Sequence, residues 1–467
     1  MEIIPANAIK LNGQYAFLFH GTDSSGLYQA AGSFVADGQG NIQSGIEDIN
    51  HTAGPLTGLS FSGTYTVGGD NRGVLNITNS QGSYSYAFTL NGSGSLARFI
   101  EIDSSGVRGA GVMKLQNPSA FNNNAISGGY TISLSGADSR GARIASLSSI
   151  FPSGGGFIAG SSLDVNEGGN TLPTFVTFNG SYSVGSNGRG TFALSVPGFQ
   201  GGNFHFAMYV VSSGEFFLVS TDALSFLSPW LNGEALLQAG APFSSNSFNG
   251  NSVFYETGWT GSAPDVSAGL LTYDGHGTIS MQSDENNGGQ VALGNLMTGA
   301  YGTQLNGRTT LNLVNLQNHQ PYLATMYAVS QNTAFIMDQS PSVRSGYVEA
   351  QTVAPPFSDS NLAGLFTFAT ASPLGSSSPF VSGSLLFDGN GSVQGNQDQD
   401  TSSGRKQNQT VSGMYSVSPA AHNGRSVIIL SLPQQETIAT WLATYSRAYG
   451  IPADASDTAP EVLIFEQ

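Results

Sequence analysis

The chain has 467 residues, 39% of them hydrophobic and 10% aromatic, enough for three or four packed cores, while the 9% charged content leaves a surface of mainly Ser, Asn, Thr, Gln and Gly. Its 14 Lys and Arg against 30 Asp and Glu give a formal charge of -16, which argues against nucleic acid and anionic membranes as partners, since both are held by basic groups. The absence of cysteine removes disulfides and thiolate metal sites, and no run of about 18 apolar residues is present to cross a bilayer.

The first ten residues, "MEIIPANAIK", carry neither the basic nor the apolar region of a signal peptide. The alternatives are a cytoplasmic protein or an export segment upstream, and the likeness of "IIPANAI" to linkers that recur later suggests a longer precursor. Turn signals then fall every 8 to 14 residues, a spacing that favours short strands. Eight strands are predicted, over 11–20, 30–37, 41–49, 61–67, 73–79, 84–91, 96–103 and 108–116. "DGQG" between the second and third is tight hairpin chemistry, with glycine at the positive-φ positions. The segments 21–29 and 50–60 read as longer loops, where binding residues usually sit.

The same unit is then written three more times. "LNGQYAFLFHG" at Leu11 returns as "ISGGYTISLSG" at Ile126, "FNGNSVFYETG" at Phe248 and "LAGLFTFATAS" at Leu362, at spacings of 115, 122 and 114 residues. Each copy carries a tyrosine followed by an arginine: Tyr65 and Arg72, Tyr182 and Arg189, Tyr301 and Arg308, Tyr415 and Arg425. Each closes on a glutamine, Gln116, Gln238, Gln351 and Gln467. Short Pro-containing linkers end at Phe121, Phe243 and Phe357, whose rings are expected to dock on a neighbouring unit. The expected domains are 1–117, 122–239, 244–352 and 358–467.

Eight sequential antiparallel strands in about 115 residues predict an all-β chain of four up-and-down barrels, because pairing the last strand with the first removes both exposed edges. The alternative is a two-sheet β-sandwich of the same size. The recurring tyrosines read as core residues with hydrogen-bonded hydroxyls.

Two sets of polar residues recur. The Asp-Gly-x-Gly and Gly-Arg turns share one barrel end, so Asp37 is expected to clamp Arg72, Asp274 to clamp Arg308, and Asp388 to clamp Arg425; the second copy has Arg189 but Ser153 in place of the acid. At the other end Asp48 and Asn50, Asp164 and Asn166, Asp284 and Asn286, and Asp398 and Asp400 lie two apart, hence on one strand face. Asp103, Asp222 and Asp338 at the end of the seventh strand are expected at the same rim. Asx turns that cap strand ends are the first explanation of these oxygen clusters; the alternative is that they hold Ca²⁺. No other cofactor is implied.

Catalytic signatures are absent: no Gly-x-Ser-x-Gly elbow, no His-Glu-x-x-His, no P-loop. His20, His51, His205, His276, His319 and His422 occupy non-equivalent positions and read as lone strand or loop residues. The tandem pattern resembles Gly/Asn/Ser-rich β-repeat proteins of bacterial secreted or surface type, and each copy more loosely resembles the calycin barrels of lipocalins and avidin. The motifs that carry this resemblance identify no activity; the expected function is that of a non-enzymatic extracellular or cell-surface repeat protein for adhesion or envelope structure. Alternatives are a small-molecule or glycan-binding array that uses the barrel mouths, and a polysaccharide-active enzyme. Expected partners are glycans, small apolar ligands or other surface proteins, with no nucleic acid and no membrane insertion.

Overall fold

The computed structural model describes residues 11–371, 378–418, 423–431 and 435–467; the reading of "MEIIPANAIK" as a linker remnant and His422 lie outside them. The first copy forms β1 (Asn12–Asp23), β2 (Gly26–Asp37), β3 (Asn41–His51), β4 (Gly54–Val67), β5 (Arg72–Asn79), β6 (Gly82–Leu90), β7 (Leu96–Glu101) and β8 (Arg108–Leu115). Each strand pairs with its chain neighbour, and β8 pairs with β1, so the sheet closes. The third and fourth copies close in the same way, over Asn249–Ala350 and Ala363–Glu466. In the second copy eight strands also close, Trp230–Leu237 pairing with Tyr130–Ala137. Its fourth strand is broken between Asn170–Thr171 and Asn179–Val184, where Pro173 lacks the N–H that the ladder needs. Four up-and-down barrels thus replace the sandwich alternative.

The predicted loops 21–29 and 50–60 are strand. β1 and β2 pair as far as Asp23 with Gly26, and β3 and β4 as far as His51 with Gly54. Gly26 and Gly54 take positive φ at these turns, and the Asp23 carboxylate accepts the N–H groups of Ser25 and Gly26. The polar composition of both segments hid two-residue hairpins.

Alternate residues fill each barrel. Tyr15, Phe17 and Phe19 of β1 meet Phe34, Phe61, Phe88 and Phe99 inside the first. Gly32 makes room: a Cβ there would stand 2.4 Å from the Phe17 ring. The recurring tyrosines lie in these cores, and their hydroxyls donate to Leu11 O, Ile126 O, Phe248 O and Asp359 O. Free space inside the first barrel is only about 20 Å³.

One charge is buried in that core. Glu47 receives a hydrogen bond of 2.7 Å from Asn79 Nδ2, and burial pushes its carboxyl up from 4.5 to about 7. An acid whose pKa rises on folding contributes stability below its unfolded pKa and loses it as pH climbs through the folded one. Between pH 4.5 and 7 the protein should lose about 3 kcal/mol that Glu47→Gln does not lose. Urea unfolding of both proteins at pH 5 and pH 8 checks this; parallel pH profiles would refute it.

Where the strands are buried on both faces, alternation disappears. "FAMYVV" (206–211), "FFLV" (216–219) and "MYAV" (326–329) run apolar without a break, because their outer faces meet another barrel. Ala16, Leu18 and Ala31 of the first barrel pack on Ala207, Tyr209 and Phe217 of the second. Ala145 and Leu147 of the second meet Tyr327, Phe335 and Met337 of the third. Val253, Val266 and Leu270 of the third meet Trp441, Tyr449 and Ile451 of the fourth. The fourth returns to the first through Phe380, packed with Ala87, Ile100, Ile102 and Ala110. Four head-to-tail interfaces therefore close a ring.

Each linker locks its interface. Gln116, Gln238 and Gln351 donate from Nε2 to Val210 O, Ala328 O and Leu442 O of the following barrel. Phe121, Phe243 and Phe357 cover Gly188, Gly307 and Gly424, where a Cβ would come within 3.0 Å of the ring. These glycines, at φ of 78° to 87°, precede the recurring arginines. Asn71 takes the same left-handed conformation in the first copy.

Candidate functional site

The expected clamps Asp37–Arg72, Asp274–Arg308 and Asp388–Arg425 do not form. Asp37 accepts the N–H groups of Gln39 and Asn41, Asp274 those of His276, Gly277 and Thr278, and Asp388 those of Asn390 and Ser392. In the second copy the Ser153 hydroxyl caps Gly155 and Phe157 in the same manner. These turn acids are saturated by their own hairpins.

The arginines instead reach the third strand of the preceding barrel. Arg189 binds Asp48 at 2.7 Å through both Nε and Nη2, Arg308 binds Asp164 at 2.7 and 2.8 Å, and Arg425 binds Asp284 at 2.7 Å. Arg72 closes the cycle on Asp398 at 2.6 Å. The physical reason is burial: these aspartates are nearly inaccessible, and a buried carboxylate needs a charged partner. A second donor joins three of the pairs, the hydroxyls of Tyr209 and Tyr327 and the indole Nε1 of Trp441. Thr89 stands at this position opposite Arg72, and there Arg72 also contacts Asp70 and Asn408.

The neighbouring Asn50, Asn166 and Asn286 do share the face of their aspartates, but that face is the interface. Their Nδ2 groups donate across it to Ser220 O, Asp338 O and Pro452 O. Asp400, which replaces this asparagine in the fourth copy, faces Arg108 of the first barrel at 3.3 Å. Two further ion pairs, Arg405–Glu101 and Arg98–Glu466, cross the same junction, so its small apolar patch is flanked by charge.

The seventh-strand acids divide. Asp103 and Asp222 cap the backbone N–H groups of Ser85 and His205. Asp338 faces a buried guanidinium, with Arg344 Nη2 at 2.7 Å. Arg344 also meets Asp265 at 3.1 Å, Glu285 at 3.4 Å and Glu256 at 3.9 Å. A cation therefore stands among these carboxylates, supplied by the chain. Burial raises Glu256 to about 7 against the pull of Arg344. Among the described residues no group of three or more His, Asp or Glu is placed to hold a metal ion.

A central cavity was not among the sequence candidates. At the ring centre all four barrels line a cavity of about 340 Å³. Lys114 of the first barrel pairs with Glu215 and Glu234 of the second. Arg98 of the first and Arg447 of the fourth both meet Glu466, each at 3.1 Å, and Arg447 reaches Glu349 of the third at 3.0 Å. Lys114, Glu215 and Arg98 keep 17% to 22% side-chain exposure although they lie deep in the protein; the exposure is to this cavity. Burial raises Glu215 despite Lys114. For Glu466, burial is outweighed by Arg98 and Arg447, and its carboxyl lies below the ordinary range. Burial lowers His20, also in the lining, to about 4, leaving it neutral at pH 7. Tyr255 and Tyr449 place their ring centroids 4.9 Å apart beside these charges.

No family model matches this chain, and no curated protein matches it. Solved structures that it is similar to include transferrin-binding protein B structures. One is a double mutant of the vaccine antigen from Haemophilus parasuis, at 9% identity, covering 97% of this chain and 75% of that one, with a TM-score of 0.18. Another is intact Ap-TbpB with N and C lobes, at 9% identity, covering 100% and 96%, with a TM-score of 0.21. Scores this low carry no argument about the arrangement or role of these barrels.

Proposed function

We propose that the protein is a non-enzymatic, extracellular or cell-surface binding protein in which a rigid ring of four barrels presents one site at its centre. The observation that carries this is the contrast in free space, about 20 Å³ inside the first barrel against about 340 Å³ between the barrels. A filled barrel has no calyx for an apolar ligand, whereas the central cavity has the size, aromatic lining and convergent polar groups of a small-ligand site. The acidic, Lys-poor and Ser/Asn/Gly/Thr-rich composition is compatible with a place outside the cell. In that setting the ring suits adhesion or envelope assembly. Glu215 and Glu234 come together as a hydrolytic pair would, but Lys114 bridges them and holds a cation where a general acid needs its proton.

His20 supplies the test. In a screen of mixed neutral, cationic and anionic fragments followed by NMR of the histidine rings, hits should move the resonances of His20 and leave exposed His205 unmoved. Hits that move His205 and spare His20 would place binding elsewhere and defeat the proposal.

A further inference from the structure

Resting on that central site, we infer that its ligand is an uncharged polyhydroxylated molecule, a small saccharide. The charges in the lining already satisfy one another. Arg98, Lys114 and Arg447 face Glu215, Glu234 and Glu466 in the lining; Arg98 and Lys114 reach carboxylates of another barrel, while Arg447 pairs with Glu466 of its own barrel and with Glu349 of the third. An anionic or cationic ligand would have to displace one partner and leave the other unpaired in a poorly solvated place.

What the lining leaves open is hydrogen-bonding capacity without net charge. Asn232 borders the cavity and is fully buried; its Nδ2 donates to Phe19 O, but its Oδ1 has no partner. Arg447 Nε likewise lacks an acceptor, and each carboxylate keeps lone pairs beyond those its cation uses. Acceptors and donors therefore stand side by side around one small volume. Hydroxyl groups, which both donate and accept, match such a lining, and a charged head group does not. The Tyr255 and Tyr449 rings add an apolar face for the C–H side of a sugar ring. Neutral His20 adds a further donor and acceptor.

The test is calorimetric titration of the full chain with glucose, galactose, mannose and maltose, alongside glucosamine, glucuronate and inorganic phosphate. At least one neutral sugar should bind, and its charged analogues should bind at least tenfold more weakly. Asn232→Leu, which removes the unpartnered acceptor, should weaken that sugar by about tenfold, and Val112→Trp, which fills the cavity, should abolish its binding. Tighter binding of glucuronate, glucosamine or phosphate that is still lost in Val112→Trp would overturn the ligand class while leaving the central site in place. Sugar binding unchanged in both variants would overturn the saccharide assignment to this cavity. Absence of binding by every neutral sugar, with His20 still moved by other fragments, would overturn the ligand class alone.

Discussion

Asp284→Ala should lower the stability of the protein by about 3–5 kcal/mol, the usual cost of stranding one partner of a buried ion pair. Asp284 accepts from Arg425 Nε at 2.7 Å, from Trp441 Nε1 at 2.9 Å and from the Gly294 N–H at 2.8 Å. Its removal leaves a guanidinium, an indole and a peptide donor without an acceptor at the junction of the third and fourth barrels. Urea unfolding should show a lower midpoint, with proteolytic nicking of the linker that ends at Phe357 appearing first. Asp37→Ala is the control: it removes only an exposed hairpin cap and should shift the midpoint much less. Equal losses from the two substitutions would mean that the ring interfaces do not hold the barrels together.

Arg344→Met should be of similar size, about 3–5 kcal/mol at pH 7, because it leaves Asp265, Asp338, Glu256 and Glu285 facing one another without their cation. The pH dependence separates this cause from lost packing. In the variant each carboxyl finds protonation easier, so the deficit against wild type should shrink as pH falls from 7 to 5. A deficit that stays constant over that range would assign the loss to the missing side-chain volume. Millimolar calcium should also raise the melting temperature of Arg344→Met more than that of wild type, since the ion can then enter the place that the guanidinium vacates.

The barrel was legible in this sequence because its causes are local. Asp-Gly-x-Gly hairpins, alternation within 30–37 and 73–79, and a repeated Tyr-to-Arg interval each act within a few residues, and all eight strands of the first copy are present. The ring was not legible, because its bonds join residues such as Asp48 and Arg189, or Asp398 and Arg72, that are distant in sequence and belong to different copies. Pairing Arg72 with Asp37 followed from treating each copy as self-contained. One signal was available: unbroken apolar runs such as "FAMYVV" cannot belong to a barrel whose outer face is wet. Grouping Asp338 with Asp103 and Asp222 failed for a different reason. Asp338 sits two residues earlier, at the place of Glu101, as its bond to the Ser340 N–H matches that of Glu101 to the Asp103 N–H. The central cavity draws on residues from all four copies, most of them at non-equivalent positions, so no repeat alignment could collect them.

The return of the fourth barrel to the first has one more consequence. In an open stack of repeats, units can be gained or lost at little cost because each needs only its neighbours. Here the turn made at each interface must add up to a full circle, and Arg72 finds Asp398 only after three intervening turns of the right size. Copy number is thereby a quantity counted by geometry. A chain with three or five such units would leave an arginine at one end and an aspartate at the other with nothing to meet, and would have to polymerise or go without a centre.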